Sequence, residues 1–68
     1  MDAKAIAKVT NHLRVTFAND HLLVKPRKQN DSAEVYIGDE FIGVVFEDED
    51  EAGSYMFEMA ILSEDLDA

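Results

Sequence analysis

Few residues of this 68-residue chain have the types and spacing to do chemistry: two histidines, a run of acids from Glu47 to Glu51, and scattered carboxylates with no cysteine beside them. The acidic run is the strongest local signal. Asp48, Asp50 and Gly53 stand where positions one, three and six of a calcium-binding loop would put them. Ala52 then falls at position five and Met59 at position twelve, where a bidentate glutamate is needed, so the expected reading is a solvated acidic turn that discourages edge pairing. A general-base histidine needs an orienting carboxylate or a nucleophile beside it, and neither His12 nor His21 has a partner at a suitable spacing. Glu40 and Glu58 are carboxylates of the kind used in pairs, but nothing in the sequence brings them together. Gly38, Gly43 and Gly53 do not form a phosphate cradle. The chemistry-bearing residues therefore designate no catalytic residue, no metal ligand and no cofactor site, and the expectation is a protein that is not an enzyme.

Charge is distributed unevenly. All six basic residues (Lys4, Lys8, Arg14, Lys25, Arg27, Lys28) lie in the first 28 positions, while twelve of the fifteen acids lie beyond position 32. Lys4 and Lys8, followed by Lys25, Arg27 and Lys28 around Pro26, offer a small basic footprint. A formal charge of −9 opposes attraction to nucleic acid or anionic lipid, so neither is the expected partner. Residues 1–9 lack the continuous apolar stretch of a signal peptide, and no run approaches membrane-spanning length, which leaves a cytoplasmic protein as the expectation.

Asp2 is a good helix N-cap, with Met1 placed to staple against Ile6. Ile6, Val9, Leu13 and Phe17 recur at spacings of three and four and make one apolar stripe, so the spacing predicts a helix that stops near Asn19. His21 to Lys25 reads as a short strand closed by Pro26, and Pro26 to Ser32 as a polar loop. From Glu34 to Phe46 two apolar runs flank Gly38-Asp39-Glu40, the signature of a β-hairpin. Tyr55 to Leu62 reads as the last strand.

Strict alternation places Val35, Ile37, Ile42, Val44 and Phe46 on one face of the sheet, with Tyr55, Phe57, Met59 and Ile61, as the partner of the helix stripe. The other face carries Glu34, Tyr36, Phe41, Gly43 and Val45, with Met56, Ala60 and Leu62. A bulge at Gly43, or strong twist, would alter this division. The expected fold is α+β: one N-terminal helix packed on a three- to four-stranded antiparallel sheet, an α-β-β-β-β meander. Residues 1–62 form a single domain and residues 63–68 an acidic, frayed tail.

The segment Ser32-Ala33-Glu34-Val35-Tyr36-Ile37-Gly38-Asp39-Glu40-Phe41-Ile42-Gly43-Val44, with the later Tyr55, Phe57 and Met59-Ala60-Ile61-Leu62, resembles a family of short bacterial proteins grouped as a domain of unknown function. The resemblance runs over nearly the whole length. It implies a cytoplasmic, free-standing domain and transfers no catalytic or binding residue.

Sixty-eight residues bury little surface, and one helix can shield only one side of a sheet. Tyr36, Phe41, Val45, Met56 and Leu62 are therefore the candidate interaction surface, too apolar for an ordinary solvated face. The expected function is a small non-enzymatic interaction module that self-associates, most simply as a homodimer, or binds an unidentified protein through this face. The alternative is an acidic regulatory protein that binds a basic partner in the manner of a nucleic-acid mimic.

Overall fold

A computed structural model describes residues 1–28 and 31–66. Its elements are a helix Ala3–Phe17 (α1), strands Leu22–Pro26 (β1), Ser32–Ile37 (β2), Glu40–Glu47 (β3) and Tyr55–Glu58 (β4), and a helical turn Ser63–Leu66 (α2). The four strands form one antiparallel sheet in the order β1-β2-β3-β4. No helix among the described residues is long and apolar enough to cross a membrane.

Asp2 caps α1 in extended backbone: its Oδ1 accepts from the Ala5 N–H at 2.8 Å, relieving one of the donors left unpaired at a helix start. The far end closes one residue earlier than Asn19. Ala18 takes the left-handed conformation at φ 51°, the Asn19 N–H donates to the Arg14 carbonyl and the Ala18 N–H to the Val15 carbonyl, which together make a Schellman cap. Asn19 is drawn away from the capping position because its side chain accepts from the His21 N–H at 2.8 Å and turns the chain into β1. Arg14 fastens the helix to that strand, its Nε donating to the Leu22 carbonyl at 2.9 Å.

Val9 and Leu13 of α1 enclose a core with Leu22, Ala33, Val35 and Val45, and Met1, Ile6, Val24, Ile37, Ile42, Tyr55 and Phe57 pack around it. Phe17, at the end of the stripe, is half exposed and meets Phe57 edge to face at 6.0 Å. Gly38 and Asp39 make the two-residue hairpin turn, with Gly38 at φ 60° and Ile37 opposite Glu40.

The register beyond that turn departs from simple alternation. Tyr36 lies opposite Phe41 but Val35 lies opposite Gly43, so Ile42 is an extra residue on β3 and the strand is bulged. From Gly43 onward every side chain of β3 is on the face opposite to the one expected. Val45 is buried against the helix at 2 % exposure, and Val44 and Phe46 are on the other side of the sheet. Val45 is thereby removed from the candidate interaction surface.

The last strand also stops four residues before the expected Leu62. Its final pair is Glu58 with Val44, one residue short of Gly43 and two short of the extra Ile42. Every residue from Met59 to Leu66 is exposed. Within the segment expected as a frayed acidic tail, Ser63–Leu66 form the single, fully exposed helical turn of α2, and Asp67 and Ala68 lie outside the described residues. The same holds for Gln29 and Asn30 of the expected Pro26 to Ser32 loop.

Candidate interaction surface

The side of the sheet turned away from α1 is organised as three rows across the strands. Near the hairpin, Leu23, Tyr36 and Phe41 stand opposite one another; in the middle, Lys25, Glu34, Val44 and Glu58; toward the acidic loop, Ser32, Phe46 and Met56. Phe41 and Met56 are 52 % and 57 % exposed, and Tyr36, Val44 and Phe46 are half-buried. Lys25 and Glu58 are exposed as well, whereas Ser32, at the end toward the acidic loop, is buried at 2 % exposure.

Tyr36 is the most constrained of these groups. Its ring meets Phe41 edge to face at 5.6 Å, and the Lys25 ammonium sits 4.5 Å from its centroid on the same side of the sheet. Its hydroxyl donates to Glu34 Oε1 at 2.9 Å. That hydrogen bond to a carboxylate, then partial desolvation and the repulsion of a second negative charge, hold the Tyr36 phenol above its ordinary pKa of 10.0. A hollow of about 320 Å³ continues the surface past β4, lined by Phe41, Gly43, Val44, Phe46, Glu58, Met59 and Ala60.

Of the residues singled out in the sequence, Tyr36, Phe41 and Met56 share this face. Val45 is in the core, and Leu62, 52 % exposed, lies beyond the end of β4. Leu23, Val44 and Phe46 belong to the surface and alternation alone assigned the latter two to the core. The signal that could have found them is Gly43, because a glycine amid β-branched residues is a common mark of a bulge.

The remaining groups are dispersed. His12 is exposed, 3.3 Å from the Thr16 hydroxyl, and borders a groove of about 460 Å³ between α1 and β4 whose lining contains no carboxylate. His21 is exposed at the entry to β1. Glu40 pairs with Ile37, which faces the helix, whereas Glu58 pairs with Val44 on the open side, so the two carboxylates are on opposite faces. The acidic loop closes on itself: Asp48 Oδ1 accepts from the Asp50 N–H at 2.9 Å, and the Asp48 N–H donates to the Ser54 carbonyl at 2.9 Å. Among the described residues no three His, Asp or Glu side chains gather where they could hold a metal ion.

The fold and this surface define a small α+β domain with a helix on one side of an antiparallel sheet and an aromatic, uncovered reverse. The chain belongs to the family described as "Protein of unknown function (DUF3126)", which matches residues 5–65. Neither the curated proteins nor the solved structures contained a match to the chain.

Proposed function

We propose that this protein is a non-enzymatic interaction module that associates with a second copy of itself through the open face of its sheet. The observation that carries the reading is the exposure of Phe41 and Met56, each more than half accessible, in a face that also holds Leu23, Tyr36, Val44 and Phe46 on either side of a charged row of Lys25, Glu34 and Glu58. An apolar surface of several hundred Å² on a soluble domain usually marks association. A chain this short also gains from a partner, because its own core is thin.

Sedimentation equilibrium at micromolar concentration tests this. The expected result is a dimer that Phe41→Asp dissociates while the far-ultraviolet circular dichroism is retained. A monomer at every concentration, unchanged by Phe41→Asp, would remove the reading.

The second reading is an acidic regulator of a basic partner, supported by the exposure of Glu47 at the end of β3 and of Glu49, Asp50 and Glu51 beyond it. A partner captured at low salt and released at high salt would favour it, because exposed charge pairs are screened.

A further inference from the structure

Resting on the self-association reading above, the geometry points to how the two copies meet. We propose that they stack open face to open face about a two-fold axis parallel to the strands, so that Lys25 of each protomer pairs with the partner's Glu58.

Two sheets stacked in aligned fashion by a two-fold axis between them have two choices. An axis across the strands lays β1 on the partner's β1, and the middle row then meets itself unreversed. Lys25 would face the partner's Lys25, Glu34 the partner's Glu34 and Glu58 the partner's Glu58, with like charge against like on every strand that carries one. An axis along the strands lays β1 on the partner's β4. The row Lys25, Glu34, Val44, Glu58 then meets its own reverse, and its two end charges become complementary.

The other rows agree with the same choice. Near the hairpin, Tyr36 comes to face the partner's Phe41, and Leu23, 39 % exposed at the edge, comes under the apolar segment that follows the partner's β4, where Met59 and Ile61 are 52 % and 67 % exposed. At the opposite end of the sheet, Arg27 and Lys28 follow β1, and Glu47 ends β3 with Asp48 to Glu51 after it, so the strand-parallel axis also brings the basic corner of one protomer over the acidic corner of the other. Stacked sheets stand about 10 Å apart, a gap that an extended lysine and glutamate can bridge together. Because β1 and β4 are the sheet's edges, both Lys25–Glu58 pairs lie at the rim of the contact, where charge selects orientation more than it adds affinity.

The test is a mixing experiment. Lys25→Glu places glutamates opposite each other at both rims of its homodimer, and Glu58→Lys places lysines opposite each other, so each variant alone should dimerise about ten-fold more weakly than the wild type at low salt. An equimolar mixture should recover a heterodimer of near wild-type affinity, because both rims are then complementary. A substitution that only weakened its own subunit would gain nothing from mixing. A mixture behaving as the sum of its components would overturn the orientation while a wild-type dimer would leave self-association standing; a monomeric wild type would overturn both.

Carbodiimide cross-linking of a mixture of isotope-labelled and unlabelled wild-type chains gives a second readout that needs no variant. A Lys25–Glu58 amide joining labelled to unlabelled chain is expected. Dimers cross-linked only through other pairs would contradict the proposed axis.

Discussion

The Phe57 ring lies over Gly43, and a Cβ built at Gly43 would come within 2.8 Å of Phe57 Cε1 while colliding with the Glu58 carbonyl oxygen. This contact couples the bulge of β3 to the seating of β4. The ring covers the position where the strand is broken, and the backbone of β4 approaches as closely as only a residue without a side chain allows. Gly43→Ala should therefore cost roughly 1–3 kcal/mol, since the colliding carbonyl is main chain and cannot turn aside. Urea unfolding measures it, and an unchanged midpoint would mean that β4 sits elsewhere.

Val44 and Val45 are neighbours with opposite fates. Val45 is sealed in the core and Val44 lies half-buried on the open face. An unpaired carboxylate in the core costs several kcal/mol, comparable with the whole stability of a small domain. Val45→Asp is expected to abolish the folded circular dichroism signal, and Val44→Asp to retain it while weakening self-association. The opposite order of effects would place the bulge wrongly.

Ala18 holds a left-handed conformation at φ 51° that an L-residue with a Cβ enters at a cost. Glycine removes that cost and gives back part of the gain through a more disordered unfolded chain. Ala18→Gly should raise stability by about 0.5–1 kcal/mol, read as an upward shift in thermal midpoint. A loss of stability would exclude the Schellman cap.

The Tyr36 hydroxyl donates to Glu34, and the phenol titrates above its ordinary value in consequence. Because the folded pKa is raised, the stabilisation is complete below pH 10.0, the value of the free side chain, and is lost as the pH climbs through the folded pKa. Of the two tyrosines, Tyr36 is identified by subtracting the ultraviolet tyrosinate titration of Tyr36→Phe from that of the wild type. The difference curve is expected to lie above pH 10.0 and to move down in Glu34→Gln.

The helix was legible because its information is local. Ile6, Val9, Leu13 and Phe17 repeat at the helical period, and Asp2 supplies a cap within one turn of the donors it satisfies. The hairpin was legible for the same reason, since Gly38 provides the positive φ that a two-residue turn requires. The helix stops near Asn19, as its spacing predicts, with Ala18 in the left-handed position and the Asn19 side chain accepting from the His21 N–H at the entry to β1.

The assignment of faces failed at one residue and then for the rest of β3. Period-two alternation carries no memory of an inserted position, so the extra Ile42 exchanges Val44 and Phe46 with Val45. β4 ends at Glu58, short of the expected Leu62, in the stretch where β3 leaves simple alternation.

The sequence by itself determined the succession of a helix and four strands, the separation of basic from acidic halves, and a surplus of apolar side chains beyond what one helix can cover. Tertiary structure alone decided which of those side chains remain outside. That choice follows from the extra Ile42 in the pairing of β3 with β2, beside a Gly43 that Phe57 covers from fourteen positions away in the chain, and a pairing between strands leaves no period for a sequence to display.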